Sequence, residues 1–203
     1  MKAGLIGCGN ISDAYLKNAA VFQHLRIVSC ADIREDAARE KAEKYGLRHQ
    51  SVEELLADPE IELVLNLTTP QSHTEIDRKA LTAGKHIYSE KPFGLDTASA
   101  REVLALAERK HLRTGCAPDT FLGGGHQTCR ALLDSGLIGK VVAGTAFMLC
   151  HGHEAWHPNP GFYYLRGGGP LFDMGPYYLT ALVNLLGPVK KVVSVNTRST
   201  DLR

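Results

Sequence analysis

Near the start of this 203-residue chain lies the segment Ala3-Gly4-Leu5-Ile6-Gly7-Cys8-Gly9-Asn10-Ile11-Ser12. It combines a short apolar strand, a turn with two glycines and the beginning of a helix, an order typical of dinucleotide binding. Gly7 permits the tight turn, and Gly9 lets the backbone approach a pyrophosphate at the positive end of the helix. We predict that the phosphates of a dinucleotide lie against Gly7, Gly9, Asn10 and Ile11.

An aspartate follows in the place where such a turn needs one. Asp32 lies 20 residues after Ser12, at the end of the second apolar run. A carboxylate there accepts hydrogen bonds from ribose hydroxyls; the alternative is an ordinary aspartate at a strand end. The same charge repels the 2′-phosphate of NADP. We therefore expect NAD as the cofactor, with NADP also admissible because Arg34 offsets part of the repulsion.

Apolar runs alternate with helical patterns as far as about residue 118, which predicts an α/β fold with a doubly wound parallel sheet. The predicted strands are 3–6, 26–31, 63–67, 86–88 and 112–117. The predicted helices are 36–45, one opening at 51–54, one from Pro70 to about 83, and 96–110. Residues 1–118 are thus predicted to form a dinucleotide-binding domain.

The pattern changes in residues 119–203, which are predicted to form an incomplete α+β domain. Helices are predicted at 125–135 and 174–186, and longer strands of an antiparallel sheet at 141–149 and 192–197. Two strands make a thin sheet, so we expect the chain to end before this domain is complete.

Composition excludes several classes of protein. The formal net charge is +1 and the basic residues are scattered, which argues against nucleic-acid binding. No apolar run approaches the roughly 20 residues of a membrane span, and the N-terminus lacks a signal-peptide pattern. Five widely spaced cysteines predict free thiols in a reducing compartment. We therefore expect a cytoplasmic protein.

Polar residues follow the predicted strand 63–67. Thr68, Thr69 and Pro70 are expected to bring backbone amides and hydroxyls to the cofactor, because proline suits the first turn of the next helix. His73 is expected either to contact the nicotinamide region or the substrate, or to be a solvated residue of the first helical turn.

The tripeptide Glu90-Lys91-Pro92 follows the predicted strand 86–88. The proline keeps Lys91 out of helical geometry, and in a dry crevice the ammonium would polarise a substrate oxygen during hydride transfer. Glu90 would orient Lys91 or contact the cofactor. Taken alone, this tripeptide would indicate an ordinary surface turn; its place at a strand end of a nucleotide-binding fold favours catalysis instead.

With these motifs the chain resembles the Gfo/Idh/MocA family of oxidoreductases. The resemblance rests on 7–11, Asp32, Thr69-Pro70 with His73, 90–92 and the segment 167–175. It implies an N-terminal Rossmann domain, NAD(P), a sugar or polyol substrate and a catalytic lysine at position 91. It also implies a C-terminal antiparallel sheet that mediates homo-oligomerisation, and a longer second domain than this chain contains.

The chain departs from the family at position 177, where many relatives carry a histidine four residues after the aspartate that matches Asp173. Spacing i, i+4 places Asp173 and Tyr177 on one helix face; Asp173 is alternatively the N-cap of that helix. One hypothesis is that Tyr177 exchanges the hydroxyl proton while the Lys91 cation lowers its pKa. The alternative is that Lys91 itself is the acid/base.

The loop 151–157 contains three histidines and a glutamate. No zinc-binding spacing is met, so we predict no metal. We expect this region to contact substrate hydroxyls, with Trp156 as an apolar platform. The predicted substrate contacts are Lys91, Asp119, Thr120, Trp156, His157, Arg166, Asp173 and Tyr177; Arg166 is alternatively a solvated loop residue.

Together these features predict an NAD(P)-dependent oxidoreductase that moves a hydride between nicotinamide and a sugar, polyol or inositol-like substrate, with Lys91, Asp173 and Tyr177 as catalytic residues. Two alternatives stay open. One is a dinucleotide-binding protein or remnant without activity. The other is an enzyme that uses transient oxidation for glycoside cleavage or epimerisation.

Overall fold

Strands and helices alternate through the first part of the chain. The computed structural model describes residues 1–158 and 160–197. The strands are β1 (Lys2–Ile6), β2 (Arg26–Ala31), β3 (Arg48–His49), β4 (Leu63–Asn66), β5 (His86–Ser89) and β6 (Thr114–Cys116). The helices between them are α1 (Ser12–Ala19), α2 (Glu35–Tyr45), α3 (Val52–Ala57), α4 (His73–Thr82) and α5 (Thr97–Arg109).

The strands form one parallel sheet in the order β3-β2-β1-β4-β5-β6. The predicted α/β class with a parallel sheet is therefore confirmed. The chain order reverses between β1 and β4, so the loops after these two strands diverge and leave a crevice at their carboxyl ends. The glycine turn follows β1 and Thr68 follows β4, which places both at this crevice.

Helices cover both faces of the sheet, and each face has its own apolar core. On one face Leu16 of α1 and Ala38 of α2 pack against Leu5 and Leu65. On the other face Leu55, Leu81 and Val103, from α3, α4 and α5, pack against Ile6, Val64 and Ile87. All of these side chains are buried, so the sheet strands are apolar on both sides, as their sequences predict.

Local signals fix most helix ends. Ser51 and Glu54 form a capping box at the start of α3, and α2 ends at Gly46, whose φ is 67°. The start predicted at Pro70 is wrong, because α4 begins at His73. A turn precedes it, in which the Ser72 N–H donates to the Thr69 carbonyl over 2.9 Å.

The chain after β6 folds against the end of the sheet. It forms helices α6 (Gly124–Asp134), α7 (Gly169–Asp173) and α8 (Gly175–Leu186), with 3-10 turns at Asp119–Leu122, His153–Ala155 and Pro160–Tyr164. Arg130 of α6 donates to the carbonyls of Asn184 and Leu185 over 3.0 and 2.9 Å. These bonds tie α6 to the end of α8.

The antiparallel sheet predicted from 141–149 and 192–197 is not confirmed. Within the described residues, neither segment pairs with a strand, and the sheet contains parallel strands alone. The alternating apolar side chains that suggested strands are exposed, among them Val142 at 91% and Val195 at 95%. A strand pattern becomes a strand only when a neighbour supplies its hydrogen bonds.

Two further observations concern the chain as a whole. Among the described helices, none has the length and apolar character needed to cross a bilayer. All five cysteines are free thiols, as expected; Cys8 and Cys30 are buried, Cys116 is half-buried, and Cys129 and Cys150 are exposed.

Candidate active site

The turn after β1 has room where a dinucleotide would come close. Gly7 has φ +104°, and a Cβ there would lie 2.5 Å from the Leu67 backbone, so the position requires glycine. A Cβ on Gly9 would meet no atom within 4 Å. Gly9 lies instead at the edge of a cleft of about 770 Å³. The missing side chain of Gly9 thus leaves open space at the lining of this cleft.

Asp32 connects the glycine turn to the end of β2. Its Oδ2 accepts a hydrogen bond from the Cys8 N–H over 2.7 Å, and its Oδ1 accepts one from the Arg34 N–H over 2.8 Å. Each carboxylate oxygen has a second lone pair available for a ribose hydroxyl. Arg34 is exposed and lines the same cleft as Gly9. The Asp32 carboxylate is thus bonded to the main chain of both Cys8 and Arg34.

The loop after β4 contributes Thr68, Thr69 and Pro70 to the lining of the cleft. Asn66 holds this loop, since its Oδ1 accepts a hydrogen bond from the Thr68 hydroxyl over 2.7 Å.

His73 does not face the cleft, so both expectations for it are wrong. Its side chain is 0% exposed, with Nδ1 2.7 Å from the Pro92 carbonyl oxygen and Nε2 3.0 Å from the Thr68 carbonyl oxygen. The physical reason is that α4 begins at His73 and its first turn directs this ring into the protein interior.

The ammonium of Lys91 lies at the edge of the cleft, bonded to Asp173. Its Nζ donates to Asp173 Oδ1 over 2.6 Å and to the Asp173 carbonyl over 2.8 Å. The side chains are 15% and 13% exposed, so little water screens the pair. The peptide bond between Lys91 and Pro92 is cis.

Glu90 contacts the backbone of its neighbour rather than the ammonium. Its Oε2 accepts from the Lys91 N–H over 3.1 Å, and its Oε1 accepts from the Tyr15 hydroxyl over 2.8 Å. Burial, followed by the nearby Glu90 charge, raises the pKa of Tyr15. Glu90 thus holds the main chain at Lys91 and lines the cleft.

A third side chain completes the group around Asp173. The Nε2 atom of His153 lies 2.9 Å from Asp173 Oδ2, and its ring stacks on Tyr163 with centroids 3.9 Å apart. Sequence reasoning treated His153 only as one member of a histidine-rich loop. The separation of 20 residues between His153 and Asp173 matches no helix or strand period, so the sequence did not indicate this contact. Asp173 therefore joins a lysine from the first part of the chain to a histidine from the second.

Tyr177 lies next to this group, although its electrostatics differ from the expectation. The Lys91 Nζ lies 5.2 Å from the centre of the Tyr177 ring. Burial, then the charges of Glu90, Asp119 and Asp173, raises the pKa of Tyr177. The expected lowering by Lys91 is wrong, because that ammonium faces the ring and is paired with a carboxylate.

Asp173 is also not the N-cap of the helix that contains Tyr177. It is the last residue of α7, and the cap position of α8 belongs to Met174 without a side-chain bond. Both oxygens of the Asp173 carboxylate are instead bonded to Lys91 and His153.

Most predicted site residues meet at one cleft. Those lining it are Gly9, Asn10, Ile11, Thr68, Thr69, Pro70, Glu90, Lys91, Trp156, His157, Asp173 and Tyr177. Asp119 lines an adjacent cavity of about 720 Å³ that shares Ile11, Glu90 and Tyr177 with the cleft. Gly7, Asp32, Thr120 and Arg166 line neither of these two cavities, and Thr120 and Arg166 are exposed. Within the described residues, no group of His, Cys, Asp and Glu is arranged to hold a metal ion.

Comparison with known proteins identifies a family. Residues 1–117 match a family described as "Oxidoreductase family, NAD-binding Rossmann fold", and residues 126–202 match the "GFO/IDH/MocA C-terminal domain". An uncharacterized oxidoreductase of Schizosaccharomyces pombe is 32% identical over 168 residues, which is 79% of this chain and 45% of that protein. Myo-inositol 2-dehydrogenase of Thermotoga maritima is 25% identical over 142 residues, 69% of this chain and 42% of that protein.

A solved structure extends the comparison. The biliverdin reductase from Synechocystis, in complex with biliverdin and NADP+, superposes with a TM-score of 0.77 at 28% sequence identity. The match covers 94% of this chain and 59% of that one. The chain thus spans about half the length of the relatives that it matches.

Proposed function

Because the chain belongs to the GFO/IDH/MocA family of oxidoreductases, we propose that it transfers a hydride between a nicotinamide cofactor and a hydroxyl-bearing carbon of a sugar, polyol or inositol-like substrate. One observation carries the proposal: the Lys91 ammonium, held by Asp173, lies on the same cleft as Gly9. Names of relatives support the substrate class, since one is a myo-inositol 2-dehydrogenase.

The residues around the cleft suit a dinucleotide. Gly9 offers open space for phosphates, the first turn of α1 offers a positive helix end, and Asp32 offers carboxylate lone pairs to a ribose. Thr68, Thr69 and Pro70 would lie beside the nicotinamide. When bound, the cofactor supplies or accepts the hydride; the protein residues orient it and exclude water.

We propose that Lys91 and Tyr177 both donate hydrogen bonds to the substrate oxygen on the reacting carbon. Lys91 donates a hydrogen bond that stabilises negative charge on this oxygen, and Asp173 fixes its position. Tyr177, whose raised pKa keeps the phenol protonated, is a second donor to the same oxygen.

His153 gives the proton an exit. In the oxidising direction, the Lys91 ammonium gives one proton to the Asp173 carboxylate and, as the resulting neutral amine, accepts the proton that leaves the substrate hydroxyl. The Asp173 carboxyl group then gives its proton to the neutral imidazole of His153. An imidazole both donates and accepts protons near neutral pH, which suits this role. The 2.9 Å distance between His153 Nε2 and Asp173 Oδ2 supports this role for His153.

We also propose a domain organisation, a mode of assembly and a cellular location. We propose that residues 1–118 form the cofactor domain and that 119–203 belong to a substrate domain. We propose that 141–149 and 192–197 join an antiparallel sheet through which copies of the protein assemble, since their apolar side chains are exposed. The five free thiols support a cytoplasmic location. Light scattering at several concentrations tests the assembly.

The test of function is a screen of sugars and inositols with NAD and NADP, following the absorbance of the reduced nicotinamide. We expect turnover with at least one polyol and its loss in Lys91→Met. Cofactor binding without turnover over the whole panel would favour a binding protein. Solvent deuterium in the product without net cofactor reduction would favour transient oxidation.

A further inference from the structure

Four polar side chains lie buried beneath the loops of the site, and none of them touches the cleft. They are Asn66, His73, Asp77 and Ser89, each 0% exposed; we call them the Asn66 network. Asn66 and Ser89 end the paired strands β4 and β5 and lie opposite each other in the ladder. His73 and Asp77 lie one turn apart on α4. Burying such groups is costly unless they bond to one another.

The bonds of the Asn66 network converge on one carboxylate oxygen. Asp77 Oδ1 accepts from the Asn66 amide over 2.8 Å and from the Ser89 hydroxyl over 2.6 Å. The same Asn66 amide nitrogen donates to the His73 carbonyl over 3.0 Å. Asp77 Oδ2 is buried and has no hydrogen-bond partner among the described residues. A buried carboxylate oxygen without a hydrogen-bond partner calls for a physical explanation.

His73 links the Asn66 network to both loops of the site. Its ring nitrogens face the carbonyl oxygens of Thr68 and Pro92, which only accept hydrogen bonds. A neutral ring donates to one of them, and a doubly protonated ring donates to both. Asp77 is the negative group beside it: burial raises the pKa of Asp77, and the charge of His73 acts in the opposite direction.

We propose that the Asn66 network positions Lys91. By holding the Pro92 carbonyl against the loop that contains Thr68, it fixes the main chain one residue away from Lys91 and directs the ammonium toward Asp173. His73, Asp77 and Ser89 are positioning residues that act through this chain segment. Their effect on catalysis rests on the proposed function, whereas their effect on Lys91 does not.

The test compares two buried serines of the same sheet. Ser89→Ala removes a bond of the Asn66 network. Ser29→Ala removes a hydroxyl on β2 that is also 0% exposed and donates to the Arg48 carbonyl over 3.2 Å. We measure acetylation of the Lys91 amine by acetic anhydride, quantified by peptide mass spectrometry without cofactor, together with kcat and the cofactor KM.

We expect Ser89→Ala to raise Lys91 acetylation about fivefold, the factor that corresponds to one hydrogen bond. The same variant should lower kcat with the cofactor KM unchanged, and Ser29→Ala should change none of these quantities. Equal acetylation rates and kcat values in the two variants would overturn the proposal. Raised acetylation in Ser89→Ala, with no turnover by the unaltered protein, would support the Asn66 network and refute the proposed function.

A second pair of variants tests His73 itself. His73→Ala removes the contacts of the ring with the Thr68 and Pro92 carbonyls. It should lower kcat about a hundredfold, as expected for a small displacement of a catalytic group. His73→Gln keeps one amide group that can donate to one of these carbonyls, so its kcat should be about tenfold higher than that of His73→Ala. Identical kcat values in the two variants, at equal melting temperature, would show that His73 does not position Lys91.

Discussion

The Nζ atom of Lys91 lies 2.6 Å from Oδ1 of Asp173, although 82 positions separate these residues in the chain. The contact joins the end of β5 to the end of α7 at the edge of the cleft. It therefore identifies Lys91 as the residue whose replacement should affect turnover most.

Lys91→Met removes the ammonium and keeps a flexible side chain. We expect kcat/KM to fall at least about 10²- to 10³-fold, the cost of losing a charged donor to the reacting oxygen, with the cofactor Kd within about threefold. Lys85→Met is the matched control, because this buried lysine precedes β5 and donates to the Asp58 carbonyl over 2.6 Å. It should lower the melting temperature and leave kcat unchanged; a similar kcat loss in both variants contradicts the assignment.

Gly9→Ala tests where the phosphates lie. A Cβ at Gly9 meets open space within the protein, so the variant should keep its melting temperature, while the cofactor Kd measured by calorimetry rises at least about tenfold. Gly7→Ala is the counterpart. Its positive φ and the 2.5 Å approach to the Leu67 backbone should lower the melting temperature itself. Unchanged cofactor affinity in Gly9→Ala would place the dinucleotide elsewhere.

The choice between NAD and NADP should depend on Asp32. We expect the unaltered protein to have the higher kcat/KM with NAD, and Asp32→Asn to shift the ratio toward NADP by about tenfold, because a charge repulsion is removed. Asp36→Asn, an exposed acidic residue in the first turn of α2, should leave the ratio unchanged. Comparable kcat/KM for both cofactors in the unaltered protein would contradict this prediction.

Tyr177 should act as a protonated donor at neutral pH. Burial and three nearby carboxylates disfavour the phenolate and raise its pKa above the ordinary value of about 10. The phenol therefore keeps its proton from pH 6 to 9. Tyr177→Phe should lower kcat by the same factor throughout this range. A loss that grows with pH would indicate that Tyr177 ionises and acts as the base; near-full kcat would remove it from the mechanism.

His153→Phe should keep the stacking on Tyr163 and lose the bond to Asp173. We expect kcat to fall about 10²-fold, as for other acid–base groups. His151→Phe, two residues away and exposed, is the control and should behave as the unaltered protein. If both variants keep full kcat, the proton leaves by another route.

Local sequence patterns predicted the first part of the molecule well. The glycine turn at Gly7 and Gly9 and the caps at Ser51 and Gly46 each involve residues close in the chain, so their geometry follows from backbone preferences. The place of Asp32 at the end of β2 followed from its spacing, although its bond to the Cys8 N–H spans 24 positions. Strand positions followed from apolar runs with two buried faces. The loops at the carboxyl ends of β1 and β4 could be located because parallel topology fixes where such ends meet.

Contacts between distant segments were decided by the tertiary structure alone. Packing between distant segments determines which histidine contacts Asp173 and whether His73 faces the cleft or the interior. It also determines the direction of the pKa shift of Tyr177. No short-range sequence pattern contains this information. The exposed segments 141–149 and 192–197 also show this dependence on tertiary contacts, because an alternating apolar pattern forms a strand only beside a hydrogen-bonding partner. The glycine turn and the lysine at the strand end could both be predicted from local sequence, since local geometry dictates both. The assembly of Lys91, Asp173 and His153 came only from the fold, because long-range burial and hydrogen bonding bring them together.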